Sequence, residues 1–408
     1  VTCRHCGAPL TLPFLDLGTA PLSNAFLTAR QLRAGEVWYP LRLLVCTSCW
    51  LVQTDDYAGR ESIFTDDYVY FSSISSTWVA HARQYVEQVT ERFTLGSGHR
   101  VAEIASNDGY LLQFVHDRGI PCYGIEPTQS TANAARARGL EVVEDFFGSA
   151  LAGRLADEGR QCDLIVANNV LAHVPDINDF VSGFERLLTT HGVATFEFPH
   201  LLQMVQQTQF DTAYHEHYSY LSLTVVNRIF DRQGLEVFDV ERLTTHGGSL
   251  RVFAQRAATG VQPVSRRVAQ LLAEETEAGI QTPGFYSGFQ AEAERVKNAL
   301  LAFLIDARQA GRRVAAYGAA AKGNTLLNFA GVKPDLLPFV CDAAPSKQGR
   351  YLPGSRIPVL APSALAEQPP DDLLILPWNI AAEVSAEQAG LLHRGTRFVT
   401  AVPTLTTW

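Results

Sequence analysis

No apolar run in this 408-residue sequence approaches the roughly 20 residues a membrane-spanning helix needs. The first residues carry a cysteine pair where a secretory signal would place its apolar stretch. Both absences predict a cytoplasmic protein with no membrane partner. Cations are scarce: 33 Lys+Arg stand against 42 Asp+Glu, a formal charge of −9. That balance argues against a broad nucleic-acid surface but leaves room for a local basic pocket. There is no low-complexity tract. Both common phosphate-binding patterns, GxGxxG and GxxxxGK[ST], are also missing. What is present is 47% hydrophobic residues and a length that suits two or three ordinary domains.

Cysteine is limited to seven residues, and four of them form two CxxC pairs, Cys3/Cys6 and Cys46/Cys49. Each pair can point two thiolates at one tetrahedral Zn²⁺, at about 2.3 Å per bond. The intervening segment, residues 7–45, is longer than in a compact zinc ribbon but can hold a small subdomain. A chance or redox pairing is the alternative. Four thiolates leave no open coordination position, so such a zinc is structural. His5 and His81 are possible substitute ligands. Cys122, Cys162 and Cys341 sit in apolar contexts and read as buried hydrophobes. This usage fits a reducing compartment.

Residues 1–70 read as short strands and turns around these pairs, with a strand near 41–45. A helix is expected over 76–93, from apolar residues at 3- and 4-residue spacing. From residue 100 the pattern turns βα. Strands are expected at 100–105, 122–125, 141–143, 163–167, 193–198 and 250–254, and helices at 110–117, 130–138 and 180–188. The near-continuous apolar run at 163–167 is what a parallel strand buried on both faces requires. This gives an α/β Rossmann-like domain over 71–260. Residues 261–310 read as connecting helices. A second α/β unit spans 311–408, with strands at 313–318, 336–340, 372–376 and 396–401.

A βα turn at the end of the first strand is a ligand-binding place in such a sheet. Here the strand carries Glu103 and the turn is Ser106-Asn107-Asp108-Gly109. The second strand ends in Glu126, placed to accept ribose hydroxyls. Asp145 and Phe146 follow the third strand and offer a carboxylate and a ring face to an adenine. Asn168 ends the fourth. Acidic strand ends and a single glycine suit S-adenosylmethionine (SAM), which has no pyrophosphate and carries cationic groups. NAD, another nucleotide or no cofactor stay open. Tyr68 either covers the cofactor's mouth or packs in the core.

Taken together, several segments resemble the nucleotide-sugar C-methyltransferase family of antibiotic deoxysugar biosynthesis. The carriers are the CxxC pairs, Phe14–Gly18 with Pro21–Asn24, Glu103–Gly109, Asn168–Pro175, Tyr214–Tyr220, His246–Arg251 and Tyr317–Asn324. The resemblance implies an N-terminal zinc-binding domain, a central SAM domain and a C-terminal α/β domain. It also implies methylation of a dTDP-4-keto-deoxyhexose at a carbon beside the ketone, with C3 favoured over C5. Such a carbon becomes a nucleophile only after a base removes its proton. Tyr214-His215-Glu216-His217-Tyr218 crowds the needed groups. His217 is the first choice of base, since imidazole titrates near 6.5. Tyr214 is the second, as relay or as donor to the enolate oxygen, and Glu216 is expected to orient an imidazole. A structural helix start or a His-x-His metal site are the alternatives.

His246 and the glycines after it could face substrate oxygens or form a plain turn. The small-residue loop after Tyr317, with Lys322 and Asn324, suits a diphosphate at a helix start. Arg350 and Asn379 lie near the next strand ends. All six are substrate-binding candidates, with a bracing scaffold as the alternative for Tyr317, Lys322, Asn324, Arg350 and Asn379. The expected partner is a small molecule, and the chain is expected to act as a monomer. Two rival functions stay open: an NAD-dependent nucleotide-sugar oxidoreductase and a zinc-knuckle binding module.

Overall fold

A computed structural model describes residues 1–55, 57 and 71–408. The Tyr68 assignment lies outside the described residues. Three sheets organise the chain. The first contains β1 (Leu12–Ala20), β2 (Tyr39–Val45), β3 (Val52–Thr54) and β9 (Ser219–Tyr220), all antiparallel. Its last strand comes from far along the chain, next to the Tyr214–Tyr218 segment.

The second sheet has the order β10-β11-β8-β7-β4-β5-β6. Its parallel part is β4 (Val101–Ile104), β5 (Cys122–Ile125), β6 (Val142–Val143), β7 (Cys162–Asn168) and β8 (Leu188–Pro199). An antiparallel pair, β10 (Leu235–Leu243) and β11 (Ser249–Arg256), finishes one edge. Strand β7 is buried over almost its whole length, which explains its lack of alternation. The β10 strand escaped the sequence reading because charged residues interrupt it at Asp239, Glu241 and Arg242. Asp239 is buried, held by Arg92 and Arg267.

The third sheet has the order β14-β13-β12-β15-β16-β17. Strands β12 (Val314–Tyr317), β13 (Val340–Cys341), β14 (Val359–Leu360), β15 (Asp372–Ile375) and β16 (Arg397–Thr400) are parallel, and β17 (Thr406–Thr407) closes the edge antiparallel. The expected strand at 336–340 is only Val340–Cys341. Leu336 and Leu337 instead close a turn onto the Lys333 carbonyl.

The connecting helices Arg266–Glu277 and Phe289–Gln309 tie these units together. Glu275, fully buried, accepts from the backbone N–H groups of Leu223 and Thr224 at 2.8 and 2.7 Å, which caps the helix Leu223–Arg232. It also bonds His200 at 2.7 Å. Phe289 stacks on Phe14 of β1 with centroids 4.6 Å apart. In the second sheet β4 lies between β5 and β7, and in the third β12 lies between β13 and β15. Each is the place where strand order reverses, and ligands bind at the carboxyl ends there. No helix among the described residues is long and apolar enough to cross a membrane.

Candidate active site and zinc site

The four cysteines of the CxxC pairs converge. Sγ of Cys3 lies 3.5 Å from that of Cys49, and Sγ of Cys6 lies 3.5 Å from that of Cys46. All four sulfurs fall within 4.8 Å of one another. A tetrahedral zinc with 2.3 Å bonds would space its ligands by about 3.8 Å, so the set fits Zn²⁺. Neither substitute ligand takes part: His5 Nδ1 bonds Asn178 at 2.8 Å and His81 Nε2 bonds Glu197 at 2.9 Å. The site is closed, structural in kind, and formed by the N-terminal Cys3–Cys6 turn together with the turn joining β2 to β3. Cys122, Cys162 and Cys341 lie apart, with thiols pushed up by burial to about 11, 12 and 12.

A cavity of about 700 Å³ receives the carboxyl ends of both Rossmann-like sheets. At one end, β4 turns at Asn107, whose φ of 50° is left-handed. Gly109, with φ of 77°, is required twice over. It makes the turn, and a Cβ there would run into Leu140. Glu126 accepts from the backbone N–H groups of Asn107 and Thr128, both at 2.9 Å, which fixes each carboxylate oxygen and leaves lone pairs toward the cavity. Burial raises its pKa. Asp145 holds the Phe146 N–H at 2.8 Å, beside the Phe146 ring in the cavity wall. Asn168 lines the same wall, and its buried Oδ1 has no hydrogen-bond partner among the described residues. Acidic groups, an aromatic face and an orphaned acceptor suit an adenosine that bears a cationic tail, so the residues present fit SAM.

Three cofactor candidates stand behind the wall rather than in it. Glu103 is fully buried under the turn, and burial together with Asp108 raises its pKa well above the carboxylate range. The Ser106 side chain packs against Gly124 of β5. Gly109 faces Leu140 and Ala135. Their part is to shape the turn.

The middle of the cavity holds Tyr214, Glu216, His217 and His173. His217 Nδ1 lies 3.0 Å from the Thr212 carbonyl, which can only accept, so Nδ1 carries the proton. Nε2 is therefore the acceptor, and it takes the Tyr214 hydroxyl at 2.7 Å. Burial, then the adjacent His173, holds His217 well below its ordinary value. His217 is thus neutral at pH 7, with Tyr214 the less buried member of the pair. Among the described residues the Glu216 carboxylate meets an amide rather than an imidazole, and it is the Glu216 backbone that bonds the His173 ring. Successive side chains in this turn diverge: His215 bonds the Pro40 carbonyl at 3.1 Å, and Glu216 accepts from Asn24 Nδ2 at 2.7 and 2.9 Å. Burial pushes the Glu216 carboxyl up to about 7. The four cysteines are the metal-ligand cluster found among the described residues, so the His-x-His metal reading gains nothing.

The far end belongs to the third sheet. The helix Ala321–Phe329 carries Lys322 in its first turn and brings it into the wall. Its Nζ donates to the His246 carbonyl at 3.3 Å and to Asn379 Oδ1 at 3.2 Å, and lies 4.7 Å from the Trp378 ring centre. Burial lowers its pKa to about 8, against the opposing charge of Asp211. His246 lines the cavity with φ of 54°. The Gly247 that follows is required because a Cβ there would enter the Trp378 ring.

Three substrate candidates lie elsewhere. The Tyr317 hydroxyl turns to Glu387 at 3.3 Å, and buried Asn324 donates to the Ser23 carbonyl at 3.4 Å. Arg350 sits past the turn whose inner cation is Lys347, the one that lines the cavity. Sequence reasoning missed Asn24, Trp78, His173 and Lys347 as cavity residues. Asn24 and His173 stood inside segments already singled out. Trp78, on the first turn of the helix Ser76–Arg92, gave no signal.

Comparison with known proteins bears on the whole chain. Residues 78–240 match the family model described as "Methyltransferase domain", residues 244–403 "C-methyltransferase C-terminal domain", and residues 3–64 "Putative zinc binding domain". The C-methyltransferase NovU of Streptomyces niveus is 34% identical over 401 residues, 98% of this chain and 95% of that protein. Among solved structures, magnesium protoporphyrin IX methyltransferase (ChlM) of Synechocystis PCC 6803 with bound SAM is 17% identical. It has a TM-score of 0.33 and covers 48% of this chain and 89% of its own. PH0226 of Pyrococcus horikoshii OT3 is 13% identical, with a TM-score of 0.39 and coverage of 46% and 95%. A near full-length relative at this identity, with all three units matched in order, makes the chain a member of the SAM-dependent C-methyltransferase family.

Proposed function

We propose that the chain methylates a dTDP-4-keto-deoxyhexose at the carbon beside the ketone, C3 in preference to C5. The observation that carries this reading is the single cavity. It joins the SAM end, the Tyr214–His217 pair and a lysine-bearing diphosphate end formed by the third sheet. A ring C–H has no lone pair, so it must first lose a proton, and only a neighbouring carbonyl makes that proton acidic enough. Tyr214 meets the substrate and His217 draws the proton through it: the hydroxyl passes its own proton to Nε2 as its oxygen takes the α-proton. Thr212 holds the tautomer that leaves Nε2 open. SAM, when bound at Glu126, Phe146 and Asn168, supplies an electrophilic methyl group. His246, held neutral by burial, faces the cavity, and burial keeps Glu216 only partly ionised near neutrality, which limits the negative charge where an enolate forms. Trp78, Pro175 and Phe147 keep the walls apolar. Lys322 holds the diphosphate.

Incubation of SAM with candidate dTDP-4-keto-deoxyhexoses in heavy water, followed by mass spectrometry, tests the reading. A methyl gain of one, with deuterium exchanged into the α-position of unreacted sugar, is the expected result. Methylation of a hydroxyl or amine on a sugar lacking the ketone would remove it.

Lys322 gives a second expectation. Lys322→Ala is expected to weaken nucleotide-sugar binding about ten- to a hundredfold, the range for one charge-assisted hydrogen bond, and to leave SAM affinity unchanged. The pH dependence follows from a pKa near 8. The ammonium is charged below that value and lost above it, so kcat/KM for the anionic sugar falls as pH rises through 8. Lys322→Arg keeps its charge and should abolish that basic limb. A limb unchanged in the arginine variant would assign it to another group.

A further inference from the structure

The Phe210–Thr212 turn of the central unit carries a carboxylate that the mechanism above does not use. Asp211 is fully buried and outside the cavity wall. Its Oδ2 accepts the indole N–H of Trp378 at 2.8 Å. Trp378 belongs to the third unit, at the carboxyl end of β15, and its ring lies beside the Lys322 ammonium at 4.7 Å. So an anion of one unit grips an indole of another, and that indole supports a cation. Lys322 has no salt bridge among the described residues. Two of its three N–H donors go to uncharged oxygens, leaving one for a ligand. Lys347, the neighbouring lysine, is instead paired with Asp342 at 3.3 Å.

We infer that Asp211 is a positioning residue for substrate binding: it seats Trp378 under Lys322 and supplies the buried counter-charge that holds an unpaired ammonium in a dry wall, ready for a diphosphate. This deepens the reading of the third unit as the nucleotide end and rests on it. The other groups facing Lys322 do not take this role. His246 and His217 are both held neutral by burial, and Glu383 across the cavity bonds Thr77 at 2.9 Å. Asp211 itself, at about 6, is ionised at neutral pH.

The test is binding of dTDP-glucose, whose diphosphate has no titratable group near neutrality, to the zinc-loaded full chain between pH 6.5 and 9.5. Wild type should lose affinity above pH 8. Asp211→Asn keeps an acceptor for Trp378 but removes the charge. Its loss of affinity should begin about one pH unit lower, the small end of the effect of a nearby opposite charge, so affinity above pH 8 falls about tenfold. Adding Lys322→Arg to Asp211→Asn should flatten the profile again. SAM affinity, measured alongside, should not move. Trp378→Phe keeps the ring but loses the N–H that holds the carboxylate charged, and it should shift the profile in the same direction. It carries the test if Asp211→Asn does not fold. An unshifted profile in a folded variant overturns the role of Asp211. Wild-type binding by Lys322→Ala overturns the nucleotide end itself, a separate outcome.

Discussion

Replacing His217 with asparagine is expected to leave SAM affinity unchanged and to cut turnover by about a thousandfold, within the range of general-base catalysis. Tyr214→Phe is expected to do nearly the same, because the two side chains act as one group. Both side chains line the cavity, the Tyr214 hydroxyl lies 2.7 Å from His217 Nε2, and in the proposed relay the proton passes to that nitrogen. Asparagine cannot accept a proton, and phenylalanine cannot pass one. Combined, the two substitutions should cost little more than either alone, as for groups in one relay. Turnover and SAM binding measured on each variant check this, along with deuterium exchange at the α-carbon without SAM. The exchange should vanish with turnover in both. Additive losses would mean two independent functions. Full exchange in His217→Asn would move the base elsewhere. Because burial holds His217 well below 6.5, the wild-type acid limb from this group should also lie well below that pH.

Much of this was legible beforehand, and the reason is periodicity and spacing. The apolar run of β7 can only be a strand covered on both faces. Glu126 follows the Ser106–Gly109 turn at the distance one βα unit sets, and the cysteine pairs announce their geometry through their own chemistry. What was not legible depends on which side of a turn a residue faces. His215, Glu216 and His217 are consecutive yet their side chains contact three different partners, so proximity in sequence does not tell which group the Glu216 carboxylate meets. Lys347 and Arg350 flank one turn, and only the backbone path shows that the lysine points inward. Asp211 matters through Trp378, which lies in another unit, and β9 is two residues long. Neither leaves a pattern in the sequence.

The zinc site and the proposed base are joined by the same short strand, which gives the second large expectation. Cys46→Ser should yield protein with little zinc, a lowered melting temperature and turnover reduced at least a hundredfold, while SAM still binds. Cys46 follows β2 directly, and Cys49 lies just before β3, so the metal pins the turn between them. The far edge of β3 pairs with β9, and the contacts continue to the catalytic segment. Thr54 N–H donates to the Tyr218 carbonyl at 3.2 Å and its hydroxyl to the His217 carbonyl at 3.4 Å. Arg4, inside the first CxxC, reaches the Pro175 carbonyl at 2.9 Å and that of Thr54 at 3.2 Å. Asn24 of the same unit is the partner of Glu216. A structural zinc contributes about 10–16 kcal/mol of apparent binding free energy in small domains, comparable with the whole stability of a typical fold. Its loss should therefore release β3 and, through β9, the backbone that fixes His217. The SAM pocket is built on β4, β5 and β7, whose hydrogen bonds run within the second sheet. It should survive. Zinc analysis, melting and SAM titration on the variant separate these effects. Full turnover by zinc-free protein would show that the base is positioned without this strand.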